Sequence, residues 1–401
     1  MKKIIALYTE AFGGLSRSAW MLSVVMLINR SGTMVLPFLS VYLTTTLGFT
    51  IEETGYVLSS YGLGSLVGAY LGGAFSDRYG HFIVQFLSLV ISGVIFIVIS
   101  DITSFYGLVS GIFILSLIAE SLRPANASSI SFYSKPENIS RSFSLNRMAI
   151  NLGFSIGPAI GGLLAAISYK LLFLADGFTC IAAGVFFYFY FSKRKGHQPD
   201  KESIKKNKEK GGPVFRDYRF LAFVILSSFF AILFFQLFMT LPLYYREVYQ
   251  LSEKEIGGLL ALNGIVVFSL EMVLVYILNK RFQLHRMIFV GMVLVGLSFA
   301  ILNIYHGIII LVISMVILSI AEIFAMPFMA TFTVQRSSKY NRGAYMGLYT
   351  IAYSIAHVIA PILGAFIISK YGFNLLWWGT GIASVIIAFG FLNVTRPQIR
   401  N

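Results

Sequence analysis

The stretch Gly153-Phe-Ser-Ile-Gly157-Pro158-Ala-Ile-Gly161-Gly162 lies in the middle of a long apolar run. Pro158 removes one backbone donor, which membrane helices tolerate because neighbouring helices satisfy the freed backbone groups. The glycines remove the side chains that would keep a neighbouring helix at a distance. The stretch therefore predicts a bent membrane helix that packs closely against a partner helix and rocks against it.

The composition is that of an integral membrane protein. The 401 residues are 57% hydrophobic and 12% charged, whereas soluble domains carry about 25% charged residues. Mean hydropathy is +0.78. No small-residue cleavage site follows the first apolar run, so we interpret that run as an uncleaved span. The single Cys180 excludes an internal disulfide framework and a cysteine-based metal site.

Twelve transmembrane helices are predicted, because apolar runs near the ~20 residues needed to cross a bilayer recur along the whole chain. The spans run over 19–44, 54–76, 82–100, 105–129, 142–167, 171–191, 220–244, 256–278, 287–305, 308–332, 344–368 and 375–393. A Lys-rich segment, 192–219, follows the sixth span and is interpreted as a cytoplasmic linker. The expected fold is all-α, with two pseudo-symmetric six-helix bundles at 1–191 and 220–401.

The two halves repeat at an offset of 203 residues. This shift lays Pro124 on Pro327 and Pro158 on Pro361. Parallel six-helix repeats of this kind place the substrate site between the halves, near the middle of the membrane.

The distribution of basic residues predicts the orientation. Most lysines and arginines fall in the N-terminal segment, in the linker and in the loops that share their side of the membrane. By the positive-inside rule, both termini are cytoplasmic. The net charge of +14 is then a topology signal with anionic lipid as the partner, and nucleic acid is not expected.

The loop between spans two and three reads Gly73-Ala-Phe-Ser-Asp77-Arg78-Tyr-Gly80. It resembles the cytoplasmic loop motif of the major facilitator superfamily, G-x-L-a-D-r-x-G-r-k, without the trailing basic pair. The fifth-span stretch resembles the antiporter signature of the same superfamily, although the earlier glycine of that signature is Ser144 here.

The resemblance implies a secondary transporter with a gate. Asp77 would hold the eleventh helix and keep the cytoplasmic side shut, and the fifth helix would rock. The predicted gating residues are Gly73, Asp77, Arg78, Gly80, Gly153, Gly157, Pro158, Gly161 and Gly162.

Ionisable and amide residues inside spans are the candidates for the site, because they are costly in a membrane. A carboxyl in a low-dielectric surrounding exchanges its proton near cellular pH. The proton-coupling candidates are Glu322, Glu120, Glu271 and His357, and the substrate-cavity candidates are Arg30, Asn29, Asn126, Gln236, Arg123 and Arg147.

Three alternatives stay open for these residues. Arg123 and Arg147 lie toward span ends, where they can reach the membrane surface, and Glu120 can be neutralised by Arg123 one turn away. Any of the polar residues can instead hold helices together. Asp176 lies near a span's outer end and is interpreted as interfacial.

No enzyme, metal site or cofactor is expected. The five histidines show no metal-ligand spacing, and no phosphate loop is present, so an ion gradient remains as the energy source.

The expected function is a proton-coupled secondary transporter that exports a small molecule by alternating access, like drug–proton antiporters. We expect a monomer in a bacterial inner membrane. One alternative is a proton-coupled symporter that imports a small nutrient, peptide or chelate, and the mid-span Arg30 favours it by suggesting an anionic substrate. A second is a transport-silent sensor or scaffold, which would require an extra domain that these residues do not contain.

Overall fold

The computed structural model describes residues 14–135, 138–194, 214–337 and 341–396, and all regular structure within them is helical. We number the helices in chain order. They are Arg17–Thr46 (α1), Ile51–Tyr79 (α2), His81–Ile99 (α3), Phe105–Tyr133 (α4), Ile139–Ala165 (α5), Tyr169–Phe191 (α6), Tyr218–Glu247 (α7), Glu253–Arg281 (α8), Leu284–Asn303 (α9), Ile308–Arg336 (α10), 342–371 (α11) and 373–395 (α12).

The helices have the lengths that a membrane requires. In the described part of the chain, nine stretches are long and apolar enough to cross a bilayer, and one of them, Ala344–Thr395, contains both α11 and α12. The more polar α2 and α8 have 29 residues each. At ~1.5 Å per residue, either exceeds the ~30 Å hydrocarbon core of a bilayer. With these included, the described helices match the twelve predicted spans one for one.

Local sequence signals set where several helices begin. The Ser16 side chain caps α1 by accepting a hydrogen bond from the Ala19 N–H, and Asp217 caps α7 in the same manner. Ser252 and Glu255 form a reciprocal capping box at the start of α8. These caps satisfy amide groups that have no partner within the helix.

Three helical stretches are interrupted. The first helix is regular to Ser31 and resumes at Val35. The fourth breaks at Ser121, close to Pro124, whose ring nitrogen lacks the donor for the preceding turn. Gly372 separates α11 from α12 with φ +78°, a conformation that glycine adopts without strain.

One compact unit contains residues 1–36 and 64–198. In it, α1 packs against α5 and α6, and α3 packs against α4 and α6. The rings of Phe82 and Phe187 stack with centroids 5.2 Å apart. The buried apolar core is made by Leu22, Val25, Met26, Phe82, Leu89, Leu122, Ile130, Ala183, Phe187 and Phe191.

The other compact unit contains residues 37–63 and 199–401. Here α9 packs against α10 and against the stretch that holds α11 and α12, and α8 packs against α10. Its core is rich in aromatic rings, with Phe223 4.6 Å from Phe332 and 5.7 Å from Phe391 between centroids.

Most of the predicted linker, residues 195–213, lies outside the described residues. Its described end forms a short turn, Val214–Arg216, and α7 begins at Tyr218, two residues before the predicted span. The division into bundles at 1–191 and 220–401 stays a prediction, since the compact units group the segment 37–63 with the second half of the chain.

Candidate functional site

The break in α1 is held by a buried acid from α6. Asp176 accepts hydrogen bonds from the Met34 N–H at 3.0 Å and the Val35 N–H at 3.0 Å. These donors begin the second part of α1, whose positive end favours a carboxylate. The interfacial interpretation of Asp176 is therefore wrong. The side chain is 2% exposed and caps a helix inside the unit.

The fifth-helix glycines lie against the same break. A Cβ added at Gly153 would lie 2.6 Å from the Cβ of Arg30, and one at Gly157 would lie 2.8 Å from the carbonyl oxygen of Thr33. Only a residue without a side chain permits this approach. Gly161 and Gly162 are buried further along α5, which continues through Pro158. The predicted close packing is thus present, with α1 as the partner, and the rocking motion stays a prediction.

Arg30 and Asn29 end the first part of α1. The guanidinium carbon of Arg30 lies 5.5 Å from the centre of the Phe154 ring. Its Nε is buried and has no hydrogen-bond acceptor among the described residues. The amide of Asn29 donates to the sulfur of Cys180 at 3.3 Å. Arg30 therefore keeps donor capacity inside the unit, whereas Asn29 is engaged with α6.

The candidates on α4 have partners within their own unit. Glu120 is 3% exposed and forms an ion pair with Arg123 at 2.8 Å. Asn126 is buried and accepts a hydrogen bond from Gln85 of α3 at 3.3 Å. The neutralisation of Glu120 that the spacing suggested is present. Arg147 on α5 is exposed.

Glu322 of α10 has an amide partner. The Asn263 amide of α8 donates to a Glu322 carboxyl oxygen at 3.4 Å and to the Ser319 hydroxyl oxygen at 3.0 Å. Glu322 is half-buried, as is Glu271 on α8. A carboxyl oxygen accepts from an amide in both protonation states, so this contact persists when a proton arrives or leaves.

His357 and Gln236 lie where α7 meets α11. The His357 ring stacks on Phe235 with centroids 3.9 Å apart and meets the edge of Tyr61 of α2 at 6.1 Å. Gln236 is 1% exposed, and its amide donates to the carbonyl of Ala360 at 3.2 Å. Gln236 thus donates a hydrogen bond to the backbone carbonyl of the residue that precedes Pro361. His357 lies among aromatic rings.

Most residues of the loop motif at the turn between α2 and α3 are exposed. Asp77 and Arg78 are exposed, Gly73 has no atom near the position of an added Cβ, and Gly80 has φ +89°. That positive φ explains a glycine at the turn between α2 and α3. The gating roles of these residues stay predictions.

Sequence reasoning missed a stripe of glycines on α2. A Cβ at Gly64, Gly68 or Gly72 would lie within 2.5 Å of the α4 helix. The repeated four-residue spacing in an apolar helix is the signal that would have found it. It also missed Asn263, an isolated amide with no pattern around it. Among the described residues, no group of three or more acidic, histidine or cysteine side chains is placed to hold a metal ion.

Comparison with known proteins decides the family. The sequence model of the Major Facilitator Superfamily matches residues 20–285 and 270–401. The chain belongs to this superfamily. It is therefore an integral membrane transporter and not an enzyme, and the expected family and all-α membrane fold are confirmed.

The relatives are transporters of several kinds. An uncharacterized transporter of this superfamily from Bacillus subtilis, YttB, is 24% identical over 90% of both chains. A Na(+), Li(+), K(+)/H(+) antiporter from Planococcus maritimus is 25% identical over 91% of this chain and 92% of its own. The quinolone resistance protein NorA of Staphylococcus aureus is 27% identical over 37% of this chain and 38% of its own.

Solved structures agree on the fold. A POT family transporter in complex with a thioalcohol-conjugated peptide superposes with a TM-score of 0.80. It is 18% identical, and the match covers 94% of this chain and 96% of that one. At this identity the likeness bears on architecture alone.

Proposed function

We propose that this chain is a proton-coupled exporter that moves a small organic cation out of the cell in exchange for protons. The observation that carries the proposal is the half-buried Glu322 carboxyl on α10, which accepts a hydrogen bond from the neutral amide of Asn263 at 3.4 Å. An acid inside a transmembrane helix can take up and release a proton during the transport cycle, which is what proton-coupled antiport requires.

The partner of Glu120 gives a contrast. Arg123 lies 2.8 Å from its carboxylate, and an adjacent guanidinium favours the ionised acid. Releasing a proton from Glu322 leaves the described contact in place, whereas protonating Glu120 abolishes an ion pair. Glu322 is therefore the first candidate for the proton carrier, ahead of Glu120, Glu271 and His357.

Relatives support the direction of transport. The Planococcus maritimus protein exchanges cations for protons according to its name, and it aligns over most of the chain. The Staphylococcus aureus relative is named for quinolone resistance. We infer an amphipathic organic cation as the substrate class, because mid-helix carboxylates complement a positive charge.

The test uses proteoliposomes with an imposed pH gradient and ethidium as the probe cation. Exchange predicts that ethidium accumulates on the acidic side, that protons move the opposite way, and that collapsing the gradient stops accumulation. Ethidium and protons moving in the same direction would overturn antiport. A gradient without effect on ethidium would overturn proton coupling of this substrate class.

A second function is favoured by Arg30. Its buried Nε lacks an acceptor among the described residues, and an N–H of a guanidinium can donate to a carboxylate or phosphate on a substrate. The chain would then be a proton-coupled importer of a small anionic nutrient, peptide or chelate. A thermal-shift screen of the purified protein against cations, peptides, sugars and chelates separates the two. Stabilisation by anions that is lost in Arg30→Gln supports an anionic substrate, as this second function requires.

A further inference from the structure

A groove of about 370 Å³ lies between α2, α3 and α4 in the first compact unit. Apart from two serines, its walls are aliphatic and aromatic side chains. The lining residues are Phe75, Tyr79, Ile83, Val84, Leu87, Ser88, Ile91, Leu117, Ile118 and Ser121. Several of them are exposed, so the groove opens on the outer surface of the helices. None belongs to the proposed transport site.

The sequence explains why the groove is present. On α2, Gly68 and Gly72 bring the helix into contact with the backbone of α4. Further along α2, the large rings of Phe75 and Tyr79 line the groove. On the α4 wall, the small side chain of Ser121, at the break in this helix, leaves space that a longer side chain would fill.

A positively charged side chain, that of Arg78, lies at one end of the groove. Arg78 lies in the last turn of α2, next to the lining residue Tyr79, and its guanidinium carbon lies 5.2 Å from the centre of the Tyr79 ring. Arg78 is exposed, as is the neighbouring acid Asp77. The distribution of basic residues assigns this end to the cytoplasmic membrane surface, where anionic lipid headgroups lie.

We propose that this groove binds an acyl chain of an anionic phospholipid from the inner leaflet, with the headgroup phosphate held by Arg78. An apolar groove in a bilayer is covered by chains, and close contact on three sides gives a bound chain more dispersion contacts than a neighbour in bulk lipid. A guanidinium pairs with phosphate oxygens in a charge-assisted hydrogen bond. The apolar walls and the guanidinium of Arg78 at one end of the groove therefore favour one occupant, an anionic phospholipid.

The test uses the purified full chain in nanodiscs of phosphatidylcholine doped with phosphatidylglycerol that carries a diazirine in one acyl chain. Photolysis should concentrate cross-links on the α2, α3 and α4 peptides that line the groove. Ser88→Phe fills the groove and should reduce these cross-links to the level found on the exposed face of α12. Arg78→Gln should lower them about five-fold, the effect of one basic residue near an anionic surface.

Matched controls separate the groove from general effects. Ser110→Phe places the same ring at an exposed position of α4 outside the lining, and Arg17→Gln removes an exposed arginine from another helix. Both should keep the labelling pattern of the parent. If Ser88→Phe does not fold, Ile91→Trp obstructs the groove from an exposed wall position instead.

Two results would overturn the proposal. Even labelling of all lipid-facing helices, or labelling unchanged by either groove-filling variant, would mean that no acyl chain is held there. Equal labelling by a photoactivatable phosphatidylcholine would mean that Arg78 does not select an anionic headgroup.

Discussion

At the residue scale, the carboxylate of Asp217 connects three helices. It caps α7, accepts two hydrogen bonds from Arg336 of α10 at 2.7 and 2.9 Å, and accepts one from the Tyr345 hydroxyl of α11 at 3.0 Å. Partial burial alone would raise the pKa of Asp217. The hydrogen bonds from Arg336, the Phe220 N–H and Tyr345 outweigh burial and hold this pKa below its usual value.

We expect Asp217→Asn to destabilise the protein at neutral pH by about 1 kcal/mol, a modest value because Arg336 is partly exposed. A carboxyl with a lowered folded-state pKa stabilises fully above its unfolded value, about 3.9, and loses this contribution as pH falls through the folded value. Thermal unfolding of the purified protein should therefore show the difference from the parent at pH 7, and the difference should shrink below about pH 4.

Asp101→Asn is the matched control for that measurement. Asp101 pairs with Lys170, and both side chains are more than half exposed. We expect no change in its unfolding midpoint at either pH. Equal midpoints for Asp217→Asn and the parent at pH 7 would show that the negative charge of Asp217 contributes nothing to stability.

Residue type predicted the candidates better than it predicted their partners. Glu322 and Glu120 stand out in sequence because acids are rare in apolar spans, and the spacing of Glu120 and Arg123 predicted their ion pair. Asn263 and Arg336 are distant in sequence from the acids they contact. Only the packing of α8 and α7 against α10 brings them together.

At the scale of elements, the repeat in sequence is also a repeat of contacts. Gly157 of α5 packs on Thr33 of α1, and Ala360 of α11 accepts a hydrogen bond from Gln236 of α7. The offset of 203 residues relates both pairs. In each half of the chain, the first helix thus contacts the fifth beside a proline. The glycines of α5 predicted its close packing but not that α1 is the partner.

Gly153→Ala should separate α1 from α5. The new methyl group would lie 2.6 Å from the Arg30 Cβ and 2.9 Å from its backbone carbon, and such overpacking costs about 1–3 kcal/mol. We expect a lower thermal unfolding midpoint and slower ethidium transport in proteoliposomes.

The comparison variant is Gly379→Ala, a position within α12 where an added Cβ meets no atom within 4 Å. It should match the parent in both measurements. If Gly153→Ala also matched the parent, the close contact of α1 and α5 would not limit either stability or transport.

At the scale of the whole molecule, the orientation follows from charge. Basic residues dominate the segments assigned to the cytoplasm, so both termini and the 192–219 segment should lie inside. Green fluorescent protein fused after Asn401, or inserted near Lys205, should fluoresce in cells. Alkaline phosphatase at the same positions should be inactive. The reverse result at either position would contradict the twelve-span orientation.

Composition predicts an integral membrane protein, and the lengths of its apolar runs predict that it is all-α with twelve helices. The more polar α2 and α8 were recognisable because they stand between clear spans. The breaks were less predictable. Pro124 signals the interruption of α4, whereas the break in α1 depends on Asp176, which is 142 residues from Met34.

Proton exchange at Glu322 can be measured by replacing its carboxyl with an amide. Ethidium accumulation driven by a pH gradient, and ethidium exchange without a gradient, are compared for the parent and Glu322→Gln in proteoliposomes. Glutamine keeps the shape and the capacity to accept from Asn263 but carries no exchangeable charge. Glu247→Gln, at an exposed end of α7, serves as the control and should behave as the parent.

We expect Glu322→Gln to bind ethidium but to lose accumulation across pH 6 to 8, while exchange without a gradient survives. Accumulation equal to that of the parent over this range would show that Glu322 does not carry the proton. The proton would then be carried elsewhere, with Glu271 or His357 as the next residue to replace.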